Sequence, residues 1–461
     1  MKAAVPVLVI LALLSALLLT GASAALAQDC DKVVLTETVL AGDTSRAAGL
    51  SVTASSHCRD HLLWESRFSV GRLEELETDF SLSQEKVLDG YRTSDFAGDC
   101  LSLSFFEGGI SSSGSLEDAV AENVMLQSIF ALAKDVASRA EPGGEHTETV
   151  DLAEYYEYVP LYADLYGIPG FIPEKELALT RLLQDYFRIP VPEGWLLEIT
   201  VETLSDGSLC SVSVNSLERQ LDLYGDSVQT GDSILFVSPL RFSDGSEPDL
   251  SRIPGGRGIY RLSGLAAQEY TLSTAYSLPE QAVPVRFWAE EEALFLLTQE
   301  EGVLRLRILD PETVTVRQTL DLLPWGEDDP FCSVYRGDGF FVPITQSESA
   351  RRLAVVEQSG AGAWQRNFVA DWSLQKERDC YLSGSVNHVS MAWDGVRLAV
   401  SGSWGDRGSW GNSFYLAVYT REGLTFLAAY ENSLDGNSVS GVNMCQPRYY
   451  RPRVLAWEAG A

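Results

Sequence analysis

Apolar positions follow three patterns along the chain. From Ala3 to Ala27 no charged side chain interrupts a stretch that is mostly Val, Ile, Leu and Ala between Val5 and Leu19. From Val33 to Phe106, β-formers alternate or cluster between Gly and Asp turns, in Val33-Val34-Leu35, Leu50-Ser51-Val52-Thr53, Phe80-Ser81-Leu82-Ser83 and Leu101-Ser102-Leu103-Ser104-Phe105. A helical period then occurs twice. Ser115 with Asp118 reads as a capping box opening a helix that carries Ala121, Met125, Ile129, Leu132 and Val136 on one face and ends at Glu141-Pro142-Gly143-Gly144. Pro173 opens a second helix bearing Leu179, Leu182, Leu183 and Tyr186, which must stop before Pro190. Together these predict an α+β region over 28–190, with helices near 115–140 and 173–188. The run Tyr155-Tyr156-Glu157-Tyr158 between them is expected in the core or on a sheet face.

From 191 to 461 a hairpin rhythm replaces the helices. Leu294–Thr298, Leu304–Asp310 and Val314–Arg317 read as three successive strands, with Glu300-Glu301-Gly302 and Pro311-Glu312-Thr313 as turns. Similar units lead with Ile234–Val237, Phe340–Val342 and Arg397–Val400, a spacing of about 46 to 60 residues that suits propeller blades. Trp195–Val201 with Cys210–Val214 reads as another unit, and Arg453–Trp457 as a strand that helps close a ring. The expectation is a mainly β protein whose C-terminal domain, 191–461, is a β-propeller-like body of about five blades, six or seven if N-terminal strands join. Paired β-sandwich domains are the alternative.

The apolar opening changes where this body is expected to work. Lys2, the apolar run and the small residues Gly21–Ala27 have the order of a signal peptide, with Ala22-Ser23-Ala24 and Ala25-Leu26-Ala27 as cleavage sites and a cut before Gln28 preferred. An uncleaved signal anchor is the rival, because the uncharged stretch at about 1.5 Å per residue outreaches a ~30 Å hydrocarbon core. Residues 1–27 are therefore a signal peptide or signal anchor. Both readings hold Lys2 inside and export everything after Ala27, secreted or membrane-anchored.

Charge and cysteines narrow the partners. With 34 basic and 65 acidic residues, a net charge of −31 disfavours nucleic acid and anionic lipid, so membrane contact is expected only through an uncleaved N-terminal segment. The seven cysteines, at 30, 58, 100, 210, 332, 380 and 445, make no CxxC or zinc-ribbon spacing. Outside the cytoplasm some are expected to pair as disulfides, and the odd number leaves at least one over.

Few residues qualify for chemistry. His57, Cys58, Asp60 and His61 form the closest group of metal-ligand types. On a strand His57 and His61 would sit about 13 Å apart, and only a turn at Arg59-Asp60 would bring them together, so no metal and no cofactor are expected. His146 and His388 lack a nucleophile motif nearby. Gly109–Gly114 misses G-x-S-x-G by one position and reads as a loop, and Ser83-Gln84-Glu85-Lys86 has the S-x-x-K spelling without a K-T-G partner. Glu327-Asp328-Asp329-Pro330 is the densest acidic turn and reads as a solvated loop. No catalytic residue is assigned.

The most suggestive feature is Ser403-Trp404-Gly405-Asp406-Arg407-Gly408 followed by Ser409-Trp410-Gly411-Asn412. Two indoles on a glycine-rich loop, with Asp406, Arg407 and Asn412 beside them, suit a sugar or peptide: planar faces cover apolar patches while charged and amide groups fix orientation. The competing reading folds both indoles back over their own hairpin.

Leu40-Ala41-Gly42-Asp43 through Ala48-Gly49-Leu50-Ser51-Val52, followed by Asp60-His61-Leu62-Leu63-Trp64, resembles the N-terminal part of uncharacterised exported proteins of clostridia-type Firmicutes. The resemblance spans about 30 residues, implies an exported bacterial protein, and transfers no site residue. The expected function is a non-enzymatic extracytoplasmic binding or sensing module with a glycan, peptide or cell-envelope partner. An exported carboxylate-dependent hydrolase and an envelope structural protein are the alternatives.

Overall fold

The computed structural model describes residues 4–30, 33–58, 62–82, 101–165, 173–267, 269–290, 292–325, 331–346, 351–360, 362–371, 389–403, 413–433 and 448–458. The protein is mainly β, with many small antiparallel sheets. It divides into two compact units, one made of 1–95 with 327–461 and the other of 96–326.

The 96–326 unit holds three four-stranded sheets. One is ordered Gly108–Ser111, Leu209–Ser216, Leu196–Thr203, Glu145–Asp151, and the helix Val124–Ala137 lies in sequence between its first and last strands, Pro173–Tyr186 between its last and Leu196–Thr203. The next runs Ser227–Thr230, Ser233–Phe236, Gly258–Ser263, Thr271–Ser277, and the third Val283–Glu290, Ala293–Glu300, Val303–Leu309, Val316–Pro324. Both are meanders in which strands adjacent in sequence pair. Inward apolar positions explain them: in Leu196–Thr203 the alternate residues Leu197, Ile199, Val201 and Thr203 are buried. The helices Val124–Ala137 and Pro173–Tyr186 pack Leu126, Ile129, Leu132, Leu179 and Leu183 into the same core as Trp195, whose ring meets Phe105 at 5.2 Å and Phe242 at 5.3 Å.

Among the described residues, the unit of 1–95 with 327–461 also holds three sheets. The sheet here called the 340 sheet is the meander Phe331–Gly337, Phe340–Gln346, Arg351–Gln358, Trp364–Asp371. The 415 sheet is ordered Leu35–Gly42, Gly423–Asn432, Ser413–Thr420, Leu398–Ser403, Ser390–Trp393, so the strand nearest the start of the chain is its edge. The 52 sheet is ordered Arg448–Trp457, Leu50–Cys58, Leu62–Ser69, Arg72–Leu82. Strands from the two ends of the sequence thus pair, Leu50 facing Trp457 and Val52 facing Leu455. One core joins the 340 and 415 sheets through Val342, Val355, Val400 and Tyr415, and a second joins the 415 and 52 sheets through Phe414, Tyr430, Val52 and Phe68.

The segment Ala4–Cys30 is one α-helix exposing Val7, Leu11, Leu14, Leu17 and Leu18. Among the described residues no helix is long and apolar enough to cross a membrane; the side chains at both ends of Ala4–Cys30 lie outside the description.

Three local expectations are corrected. The first globular helix starts at Val124, not Ser115, because Asn123 takes the cap, its Oδ1 accepting from Leu126 N at 2.9 Å. Ser115 instead closes a local turn, its hydroxyl accepting from Glu117 N. Gly108–Ser111 is a strand rather than loop, since its backbone pairs with Ser211–Val214. Val314 is not in a strand: Asp310 accepts from Glu312 N and Thr313 N, and this turn leaves Val314 at φ 54 before the strand begins at Val316.

Candidate functional site

Trp404, Asp406, Arg407, Trp410 and Asn412 all lie outside the described residues, as do His61, His388, Ser83–Lys86 and Glu327–Pro330. What the structure gives is where their flanking strands end. Ser403 pairs with Phe414 across antiparallel neighbours, so 404–412 connects two adjacent strands of the 415 sheet at one end. Ser390 pairs with Ser401, and Ser413 with Glu431, at that same end. Segment 372–388 therefore arrives there and 434–447 leaves from there.

The register of the neighbouring sheets extends this picture within the unit. Gln346 pairs with Arg351 and Phe331, and Arg352 with Asp371, so 347–350 and the start of 372–388 share one end of the 340 sheet. Cys58 pairs with Leu62 and His57 with Arg448, so the chain reverses between Cys58 and Leu62, and 434–447 arrives at that end of the 52 sheet. The His57 side chain and residues 59–61, where a His57/His61 site would need its turn, lie outside the described residues.

The opposite ends of the three sheets are tied to one another, which sets their mutual direction. Trp393 Nε1 donates to Glu357 Oε2 at 2.7 Å, and Arg421 Nε to Asn367 Oδ1 at 3.1 Å, joining the 340 and 415 sheets. Trp457 Nε1 donates to the Ala392 carbonyl at 3.2 Å, and the Arg397 guanidinium stacks 3.9 Å from the Trp457 ring while bonding the Ala48 carbonyl, joining the 415 and 52 sheets. With these tied ends together, the ends that carry 59–61, 347–350, 372–388, 404–412 and 434–447 point the same way. Toward these loop ends the sheet interior turns polar: Ser55, Cys332, Thr345, Arg351 and Ser401 are all buried. The Thr345 and Ser401 hydroxyls have no hydrogen-bond partner among the described residues.

Three sets of polar contacts stand out among the described residues. In the 96–326 unit, Glu300 binds Arg307 NH2 at 2.5 Å and Arg305 NH1 at 3.0 Å, while Arg305 Nε reaches Asp321 at 2.6 Å and Arg307 NH1 reaches Thr298 Oγ1 at 2.6 Å. Asp226 is similarly held by Arg286 at 3.0 Å and by Phe287 N at 2.6 Å. Burial pushes Asp222 above the usual carboxylate range even though Arg241 lies 3.6 Å away. These groups lock strands to one another.

A second cluster lies half-exposed between Val124–Ala137 and Glu145–Asp151. Asp135 accepts from Tyr155 OH at 2.7 Å and from Arg139 at 2.9 Å; Arg139 also reaches Glu148 at 2.6 Å, and His146 stands 3.4 Å from Glu148. The Tyr155 hydrogen bond holds Asp135 below the usual carboxylate range, and the Arg139 hydrogen bond does the same for Glu148. His146 is thus placed on a strand in a structural charge network.

The third cluster, at the tied ends, centres on Glu357. Its Oε1 accepts from Gln365 Nε2 at 3.0 Å and Asn367 Nδ2 at 2.7 Å, and its Oε2 from Trp393. Gln365 pairs with Glu357 across the strands, and Asn367, two residues on and left unpaired by a β-bulge between the Val355–Phe368 and Val356–Arg366 pairs, reaches the same oxygen. Sequence patterning gave no sign of this site, because its five residues come from four strands or turns of two sheets. Among the described residues no group of three or more His, Cys, Asp or Glu side chains is placed to hold a metal ion.

No protein-family model and no curated protein matches the chain. Among solved structures it is similar to a putative 6-phosphogluconolactonase from Bacteroides fragilis at 9% identity, covering 88% of this chain and 97% of that one with a TM-score of 0.30. It is also similar to a GH43 protein from Bacillus licheniformis at 9% identity, covering 57% of this chain and 56% of that one with a TM-score of 0.23. At such scores the architecture and the site rest on the sheets themselves.

Proposed function

We propose that the protein is an exported, non-enzymatic binding module of propeller-type blades that meets its ligand at the loop ends of the 1–95 and 327–461 unit. The observation that supports the reading is topological: the strand ends that flank 59–61, 347–350, 372–388, 404–412 and 434–447 lie on one side of their sheets. Rigid sheets presenting several connections on one side are a common platform for recognition. The chemistry of Trp404, Asp406, Arg407, Trp410 and Asn412 suits a glycan or peptide.

The four-stranded meanders support the blade reading, each consisting of neighbours in sequence as a propeller blade does. The buried carboxylates Asp226 and Glu300 are each locked by arginine, which favours binding over carboxylate catalysis. The Lys2–Ala27 segment supports export, with a cut before Gln28 as the preferred processing.

Replacing 404–413 by Asn-Gly tests the reading, because Ser403 and Phe414 are already paired and a two-residue turn closes such a hairpin. The expected result is an unchanged circular dichroism spectrum with loss of binding on an array of glycans and cell-wall peptides. Retained binding would remove this loop from the ligand site.

A further inference from the structure

We propose that the tied ends of the 340 and 415 sheets form a second ligand site, built from Glu357, Asn367, Arg421, Gln365 and Trp393, that takes a neutral saccharide through adjacent hydroxyl groups. This site lies at the opposite strand ends from 404–412, so it stands or falls independently of the loop reading.

The first ground is how Glu357 is held. Its three donors among the described residues are all neutral, two side-chain amides and an indole, and of these only the Trp393 indole reaches Oε2. A carboxylate oxygen has room for about two hydrogen bonds, so Oε2 keeps one acceptor position. The carboxylate is half-buried and its orientation is fixed by both oxygens, which prepares it for a ligand hydroxyl without further ordering.

The second ground is Arg421. In a chain with 65 acidic and 34 basic residues, an exposed arginine readily finds a carboxylate, as Arg67, Arg72, Arg139, Arg188 and Arg317 do. Arg421 makes no ion pair among the described residues. It sits in the two-residue turn between Thr420 and Gly423, and its Nε is spent on the neutral Asn367 amide. That amide at once donates to Glu357 and accepts from Arg421, setting an acceptor and a forked donor one amide apart. Two neighbouring hydroxyls of a sugar ring match this pair, one donating to Glu357 and one accepting from Arg421.

The third ground is the surround. Trp393 is half-buried, with its ring 5.8 Å from Phe368, and Gln365 is exposed on the edge strand Trp364–Asp371. An aromatic edge beside amides, with one carboxylate and one guanidinium set apart by an amide, is the composition expected of a sugar subsite. An anion would gain Arg421 but face Glu357 one amide away and the net charge of −31, so a neutral ligand is favoured over a uronic or sialic acid.

The experiment is isothermal titration of the full chain with maltotriose, cellotriose, xylotriose and chitotriose, and with galacturonic acid trimer as the acidic arm. At least one neutral trimer is expected to bind. Arg421→Ala, an exposed turn substitution, should weaken it about tenfold or more while the melting temperature stays put, and Gln365→Ala should weaken it less. Measured in the Trp404→Ala/Trp410→Ala background, which takes away the indole faces of the loop site, the weakening by Arg421→Ala should persist, which separates the two sites. No binding by any neutral trimer, equal binding by Arg421→Ala, or preference for the acidic trimer overturns the proposal.

Discussion

Replacing Glu300 by Ala tests whether the buried ion network locks its sheet. Glu300 and Arg307 have side chains only 10% and 7% exposed, and Arg305 retains Asp321 whatever happens to Glu300. Glu300→Ala therefore leaves Arg307 with the Thr298 hydroxyl alone, a guanidinium out of water without a counter-charge. Breaking a buried pair in this way costs about 3–5 kcal/mol. For a unit of this size, that corresponds to a fall in melting temperature of about 6–20 °C, at roughly 2–4 °C per kcal/mol. Removing both charges, in Glu300→Leu with Arg307→Met, should restore stability to within about 1–2 kcal/mol of the parent, because the desolvation cost disappears along with the attraction. Urea unfolding with an unchanged slope reads the difference. Glu301→Gln, at the exposed neighbouring turn residue, serves as the control and should move stability by less than about 0.5 kcal/mol. A loss below about 1 kcal/mol for Glu300→Ala, or a double variant as unstable as the single, would refute the reasoning.

Other consequences follow from the same coordinates. Asn123→Ala removes the Leu126 N–H partner and should cost about 1 kcal/mol in thermal unfolding, with Asn123→Ser largely sparing it. Deleting 448–461 strips the strand beside Leu50–Cys58 and bares the buried Val52 and Ala54; soluble protein should be lost or bind a hydrophobic dye, whereas a normal melting curve would contradict the pairing. Asp135 and Glu148 are held below their ordinary values, so the stability they contribute is present above the unfolded carboxylate range, near pH 4, and lost as pH falls through the folded values. Melting temperature should accordingly decline below about pH 4, and Arg139→Gln should flatten that decline.

Much of the strand content was legible because alternation reports burial directly. Leu294–Thr298 and Leu304–Asp310 were expected as strands, and Ala293–Glu300 and Val303–Leu309 are observed, with Glu301 and Gly302 at positive φ making the turn. The framing of the units was less legible. Each was read as leading with Ile234, Leu294, Phe340 or Arg397, whereas the sheets begin one strand earlier, at Ser227, Val283, Phe331 and Ser390. Those first strands are short or carry Pro284, Arg286, Ser333 and Arg336 among their apolar residues, so their pattern is broken. Pairing of Leu50–Cys58 with Arg448–Trp457 joins residues some 400 apart, for which a single sequence holds no local signal. The Glu357 cluster was hidden for the same reason, whereas 404–412 stood out because both indoles lie in one short run.

Titration of a ligand found on the glycan and peptide array against Trp404→Ala/Trp410→Ala tests the central claim most directly. The account predicts a loss of affinity of at least about tenfold, since a buried aromatic anchor commonly carries 2 kcal/mol or more, with an unchanged melting temperature. Unaltered affinity in that variant would contradict it.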